Sequence, residues 1–212
     1  MLKNRPVNIA CIQETKWKGS KAKEIGDGYK LIYRGTRTRN GVAIVVDQDF
    51  RNNVTSVHRV SERLMSIKID STAITAHVVS CYAPQTGCTE DEKDKFWNSP
   101  DVLLREVPQD ESIIVGGNLN GHFRAHKEGY MRCHGGHGLG VWKDDGCWIL
   151  DFAESHDLIV TNTYFKKRPT HLANYTSGGH ATEIDYWLFR HQDMKLVTDT
   201  KVIPYDCITP QH

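Results

Sequence analysis

Short apolar runs separated by polar turns dominate the pattern along this chain. Residues 7–13 form an apolar run that stops at Glu14 and predicts a buried strand. Residues 29–33 and 41–46 predict a hairpin, with Asn40-Gly41 among its turn signals. Across residues 63–69 the pattern alternates, with Leu64, Ser66 and Lys68 on one face and Arg63, Met65, Ile67 and Ile69 on the other. Residues 72–82 predict another strand, carrying Ile74, Ala76, Val78 and Val79. Residues 90–106 read as a helix with Phe96, Trp97, Val102, Leu103 and Leu104 on it, which Pro100 should end or kink. Residues 112–115 predict a strand that feeds a glycine turn, and 147–155 an amphipathic helix bearing Trp148, Ile149, Phe152 and Ala153. Further strands are expected at 158–161 and 183–189. Strands interspersed with helices point to two packed sheets covered by helices, a layered α/β architecture. No repeat or low-complexity linker divides the 212 residues, so a single domain is expected.

Composition narrows this picture only a little. With 39% hydrophobic residues a proper core is available, and wholesale disorder is excluded. The net charge of +1 supplies no global field for nucleic acid, so any such binding needs a local basic patch. Two patches qualify: Lys16, Lys18, Lys21 and Lys23, and Arg34, Arg37 and Arg39. Taken alone, either reads as a solvated surface. The six cysteines show no CxxC pairing and no secretory framework, and Cys11 and Cys81 sit in strand-like runs as small buried residues. The cluster Cys133-His134-Gly135-Gly136-His137, with Cys147, lacks zinc-ligand spacing and reads as a loop. No apolar stretch approaches the ~20 residues of a membrane span. The N-terminus has no apolar signal region, so an intracellular, reducing location is the expectation.

The candidate chemistry lies in four segments. The first is Gly116-Gly117-Asn118-Leu119-Asn120-Gly121-His122, which follows Ile113-Ile114-Val115 where a strand should end in a turn. On its own it is an ordinary Asn-Gly turn. It gains meaning beside Gln13-Glu14-Thr15, Ser80-Cys81-Tyr82-Ala83-Pro84 and Glu183-Ile184-Asp185-Tyr186. Together the four resemble the endonuclease/exonuclease/phosphatase superfamily, whose version of the first segment is Gly-Asp-x-Asn-x-His. The resemblance implies a DNase I-like four-layer α/β sandwich, two mainly antiparallel sheets flanked by helices. It also implies a domain incomplete at both ends, without the first and last core strands.

Phosphodiester hydrolysis needs a cation on the phosphate, an oriented water, donors for the crowded oxygens and help for the leaving oxygen. The resemblance assigns Glu14 to a Mg²⁺ ion, with Mn²⁺ as a substitute. A surface carboxylate before Lys16 is the competing reading. Tyr82 and Asn120 are assigned to the phosphate, where Tyr82 has a core tyrosine as its rival. Asp185 and His212 are assigned to a carboxylate–imidazole dyad whose second ring nitrogen faces phosphate or water. A frayed tail is the competing reading for His212. Asn118 occupies the place of an acid that contacts the attacking water. An amide can hydrogen-bond there but cannot act as a base. His122 is expected to support the turn.

Three further runs narrow the resemblance: Asp151-Phe152-Ala153-Glu154-Ser155, Thr161-Asn162-Thr163-Tyr164-Phe165 and Glu183-Ile184-Asp185-Tyr186. They look like the apurinic/apyrimidinic-type endonuclease domain of non-LTR retrotransposons of the RTE/BovB kind. That branch implies DNA as the partner, nicking as the reaction and the nucleus as the location. Two readings stay open. One is a Mg²⁺-dependent DNA endonuclease impaired by Asn118 and by truncation at both ends. The other is a non-catalytic remnant that binds DNA or protein. A phosphatase of the same superfamily does not share the three narrower runs.

Overall fold

A computed structural model describes residues 7–36, 40–123, 125, 128–140, 144–177 and 180–203. In chain order the strands are β1 (Ile9–Gln13), β2 (Gly19–Glu24), β3 (Lys30–Gly35), β4 (Val42–Val46), β5 (Val54–Arg59), β6 (Leu64–Asp70) and β7 (Thr75–Tyr82). Helix α1 (Glu90–Arg105) leads to β8 (Ser112–Asn118), and α2 (Asp144–Ser155) leads to β9 (Leu158–Val160). A short pair, β10 (Tyr175–Ser177) and β11 (His180–Thr182), precedes β12 (Asp185–Arg190).

The strands form two large sheets, one ordered β1-β4-β3-β2 and the other β5-β6-β7-β8-β12-β9. All neighbours are antiparallel except β7 and β8, whose parallel pairing needs the crossover that α1 supplies. The sheets pack face to face through Ile32, Val42, Ile44 and Val46 on one side and Met65, Ile67, Ile69, Val78 and Tyr82 on the other. The opposite face of the six-stranded sheet presents Leu64, Val79, Cys81, Ile113, Val115 and Leu188. Helices α1 and α2 cover that face with Phe96, Trp97, Leu104, Ile149, Leu150 and Phe152. Both described helices therefore lie on one sheet. The outer face of the four-stranded sheet buries Leu31, Tyr33, Ala43 and Val45, with no helix over it among the described residues. This is the mixed α/β, two-sheet architecture expected from the sequence.

Two local expectations are corrected. Pro100 does not end the helix: α1 runs through it to Arg105. Proline forfeits one backbone bond at a cost of ~3 kcal/mol. The helix survives because Phe96, Trp97, Pro100 and Leu104 are all buried in the core and Thr89 opens it with a capping box onto Glu92. Second, Gly116, Gly117 and Asn118 do not form a turn. They are the last three residues of β8 and pair with strands on both sides. Glycine is needed there for close approach, not for a bend. A Cβ on Gly116 would strike the Trp187 ring, and one on Gly117 would strike the backbone carbonyl of Cys81.

Candidate active site

Strand register puts three of the proposed residues abreast. Tyr82 ends β7 and pairs with Asn118 at the end of β8, and Asn118 pairs with Asp185 at the start of β12. Directly paired residues point to the same face and lie about 5 Å apart. That face is the one turned toward the four-stranded sheet, since Tyr82 shares it with Val78 and Met65.

Glu14 reaches this row from the other sheet. Strand β1 is an edge strand tied to β7 by Gln13, whose Nε2 donates to Ser80 Oγ at 3.1 Å. The chain then turns at Glu14, which has a φ of 53°. Thr15 and Lys16 dock on the β3–β4 connection through backbone bonds to Gly41 and Asn40. The Tyr82 hydroxyl donates to Glu14 Oε1 at 2.8 Å, closing a contact between residues 68 apart in sequence. The Tyr82 side chain is otherwise enclosed, at 4% exposure, with the Arg63 guanidinium 4.7 Å over its ring. Arg63 also donates to the carbonyls of Tyr82 and Ala83 at 3.2 Å each. Burial, and then the Glu14 carboxylate, push the phenol up to about 12, so it stays a donor at neutral pH.

Asn118 and Asn120 are linked to each other and to β7. The Asn118 Oδ1 accepts the backbone N–H of Asn120 at 3.1 Å. Asn120 has a φ of 51° and donates from Nδ2 to the Ala83 carbonyl at 2.8 Å. The Asn118 carbonyl accepts the Ala83 N–H, and Leu119 N–H donates to Ile184. His122 packs closely against Gly140, and its carbonyl lies against Gly146, which suits the supporting role expected of it.

Asp185 is half-buried, and burial pushes its carboxyl up to about 6. Its side chain has no hydrogen-bond partner among the described residues. Two asparagines, to which sequence reasoning gave no role, clamp its backbone. Asn162 Nδ2 and Asn174 Nδ2 both donate to the Asp185 carbonyl, at 3.2 and 3.1 Å. Their Oδ1 atoms accept the N–H groups of Trp187 and Ile184. Asn162 lay within a run singled out in the sequence; Asn174 carried no signal. Glu183 was also missed as an electrostatic feature. It is buried, its Oε1 accepts from Asn162 Nδ2 at 2.9 Å, and its Oε2 has no partner among the described residues. Desolvation pushes it up to about 7, opposed by the Asn162 bond and reinforced by Asp185.

The structure thus gathers Glu14, Tyr82, Asn118, Asn120 and Asp185 at one end of the two sheets. His212 lies outside the described residues, as do Arg37 and Arg39 of the second basic patch. The loop cysteine and histidine at 133 and 134 are core residues: Cys133 Sγ faces carbonyls of Tyr130 and Leu150, and the His134 ring meets Phe123 edge-on. Cys81 is buried and Cys11 half-buried. Among the described residues no helix is long and apolar enough to cross a membrane.

No family model matches the chain. It is 27% identical over 206 residues to craniofacial development protein 2 of Bos taurus, covering 95% of this chain and 34% of that protein. The chain therefore spans about a third of the length of such relatives. Among solved structures, the endonuclease domain of TRAS1, a telomere-specific non-LTR retrotransposon, superposes with a TM-score of 0.62 at 15% identity, over 92% of this chain and 78% of that domain. The 3'-5' exonuclease NExo of Neisseria meningitidis superposes with a TM-score of 0.66 at 15% identity, over 93% of this chain and 82% of the other. The fold is that of the DNase I-like endonuclease/exonuclease/phosphatase domains.

Proposed function

We propose that the chain is a retrotransposon-derived DNA endonuclease domain whose Mg²⁺-dependent nicking is impaired by Asn118. The observation that carries this reading is the Tyr82–Glu14 bond at the end of the row Tyr82–Asn118–Asp185. It joins both sheets at one point and collects oxygen donors and amides there. The donor set suits a hard cation. Tyr82 occupies Glu14 Oε1, and Glu14 is exposed, which leaves its second oxygen for a metal. One or two carboxylates with waters and substrate phosphate are what Mg²⁺ prefers. A bound Mg²⁺ would neutralise charge on the scissile phosphate.

The protein groups then divide the remaining work. Tyr82 commits its one hydroxyl proton to Glu14 Oε1 and so fixes that carboxylate at the site; a phosphate oxygen would have to take the proton over from Glu14. Asn120, with one Nδ2 hydrogen held by the Ala83 carbonyl, keeps the other for a phosphate oxygen and its Oδ1 to accept from the nucleophilic water. Asp185 orients His212 in this reading. Asn118 can hold a water but cannot take its proton, and losing an acid–base group removes ~10²–10⁴ in rate.

Asn118→Asp is the decisive variant. Asn118 Oδ1 already accepts the Asn120 N–H, a bond either oxygen of an aspartate would keep. The change therefore swaps only the amide nitrogen for an anionic oxygen. Supercoiled plasmid with Mg²⁺ should be nicked very slowly by the natural chain and ~10²–10⁴ faster by the variant. Equal rates for the two would remove position 118 from the chemistry. The amide at 118 also favours a second reading, a non-catalytic domain that binds DNA or protein. Binding by both chains with nicking by neither would select it.

A further inference from the structure

We infer that residues 15–24, which leave the candidate site at Glu14, form a track for single-stranded DNA, with Trp17 stacking on an unpaired base and the lysines beside it holding phosphates. This rests on the nucleic-acid reading of the site and names the form of the substrate.

Lys16, Lys18, Lys21 and Lys23 are all exposed, and none has an ion-pair partner among the described residues. The single acid of the stretch, Glu24, stands at its far end and is engaged by Arg51 at 3.0 Å. Four uncompensated cations in eight residues, beginning two residues after Glu14, make a local positive strip on a chain of net charge +1. The half of the strip that carries Lys21 and Lys23 is linear because β2 is an edge strand, bonded on one side to β3. Lys21 and Lys23 fall on one face of it, the face shared with Tyr33 and Leu31, outside the inter-sheet core.

Trp17 lies on that same face. The Lys23 ammonium sits 4.0 Å over its ring, and Tyr33 meets it edge to face at 5.5 Å. The indole is held by these two contacts yet keeps 44% exposure. An aromatic ring fixed in place, open to solvent and flanked by lysines has the elements of a stacking platform. A base inside a duplex is already stacked on both faces, so the exposed ring can meet only an unpaired one. Three residues span at most about 10 Å, which places the stacked base within about three nucleotides of a phosphate bound through a cation at Glu14.

The test measures binding of labelled oligonucleotides, single-stranded and duplex, to the full chain by fluorescence anisotropy in EDTA. Trp17→Ala should weaken single-strand binding about 5- to 100-fold and leave duplex binding within about twofold. Trp17→Phe should restore most of the loss. Lys21→Glu, a side chain with no described contact, should weaken both and flatten the salt dependence by about one ion. Unchanged single-strand binding in Trp17→Ala overturns the inference. If Trp17→Ala melts early, unchanged binding by Lys21→Glu overturns it instead. Preference of the natural chain for phosphatidylserine vesicles over oligonucleotide also overturns it. Because no cleavage is measured, Trp17-dependent binding without any Mg²⁺-dependent nicking would sink the nuclease reading and leave this one standing. Nicking with Trp17-independent binding would do the reverse.

Discussion

Replacing Glu183 by glutamine should make the protein more stable at pH 8 and leave it unchanged near pH 4. Glu183 is 1% exposed, and its carboxyl group receives one hydrogen bond among the described residues, from Asn162. Its folded value of about 7 stands above the ordinary 4.5, so the folded chain binds this proton more tightly than the unfolded chain does. The sign follows directly. Stability from this group is complete below pH 4.5, declines as pH rises, and is lost above about 7. A difference of about 2.5 pH units at 1.36 kcal/mol each is worth about 3 kcal/mol. Asp185, raised to about 6 from 3.8, adds a slope of the same sign over a window that starts lower. Glutamine keeps the shape and the oxygen that Asn162 needs. Its amide brings two N–H donors where the neutral acid has one O–H, at a position with no partner among the described residues, so the full difference is an upper bound on the gain. At 2–4 °C per kcal/mol for a chain of this size, Glu183→Gln should melt higher at pH 8, by at most about 6–12 °C. Melting followed by circular dichroism at pH 4.5, 6 and 8 reads both effects. A variant that melts lower than the natural chain at pH 8, or a natural chain whose stability does not fall between pH 5 and 8, would refute the reasoning.

Two further outcomes test the scaffold. Lys93 on α1 is buried and bridges Glu90 at 2.8 Å and Asp145 of α2 at 2.7 Å, contacts that raise its pKa; Lys93→Met leaves Asp145 unpaired and should cost about 3 kcal/mol, read as a lowered urea midpoint. Gly117→Ala sets a methyl group against the Cys81 backbone and should cost about 1–3 kcal/mol in the same assay; an unchanged midpoint would show that β7 and β8 do not approach as closely as described.

The strands that were legible are those with a buried face. Strands β4, β6 and β7 carry apolar residues at core-facing positions, so periodicity alone finds them. Strand β2, Gly-Ser-Lys-Ala-Lys-Glu, was not legible, because an edge strand exposed along its length has no apolar alternation to show. Strand β5 is half-exposed and interrupted by a bulge between Val54 and Ser56, which blurs the period of two. The extension of β8 through Gly116-Gly117-Asn118 was hidden for a different reason. Glycine pairs usually mark turns, and only the fold shows that Gly116 makes room for the Trp187 ring and Gly117 for the Cys81 carbonyl.

The site was legible in its residue types and not in its support. Glu14, Tyr82 and Asp185 stand at strand ends, where a polar group can face a cleft, and short motifs mark them. The partners that fix them come from far along the chain: Tyr82 to Glu14 across 68 residues, Asn162 to Asp185 across 23. No local pattern encodes such pairs. Asn118 combines the two cases. In sequence it is a departure from an acidic position; in the fold its Oδ1 makes the bond to Asn120 that an aspartate oxygen would make. The substitution therefore leaves the loop's hydrogen bonding intact and alters one charge. A change that damaged the fold would have disturbed the pairing of Asn118 with both Tyr82 and Asp185, and that pairing is regular. The impairment argued for this chain is thus chemical and local, which is why one restored carboxylate is expected to act mainly on rate, with its repulsion of Asp185 across the strand pair as the stability cost.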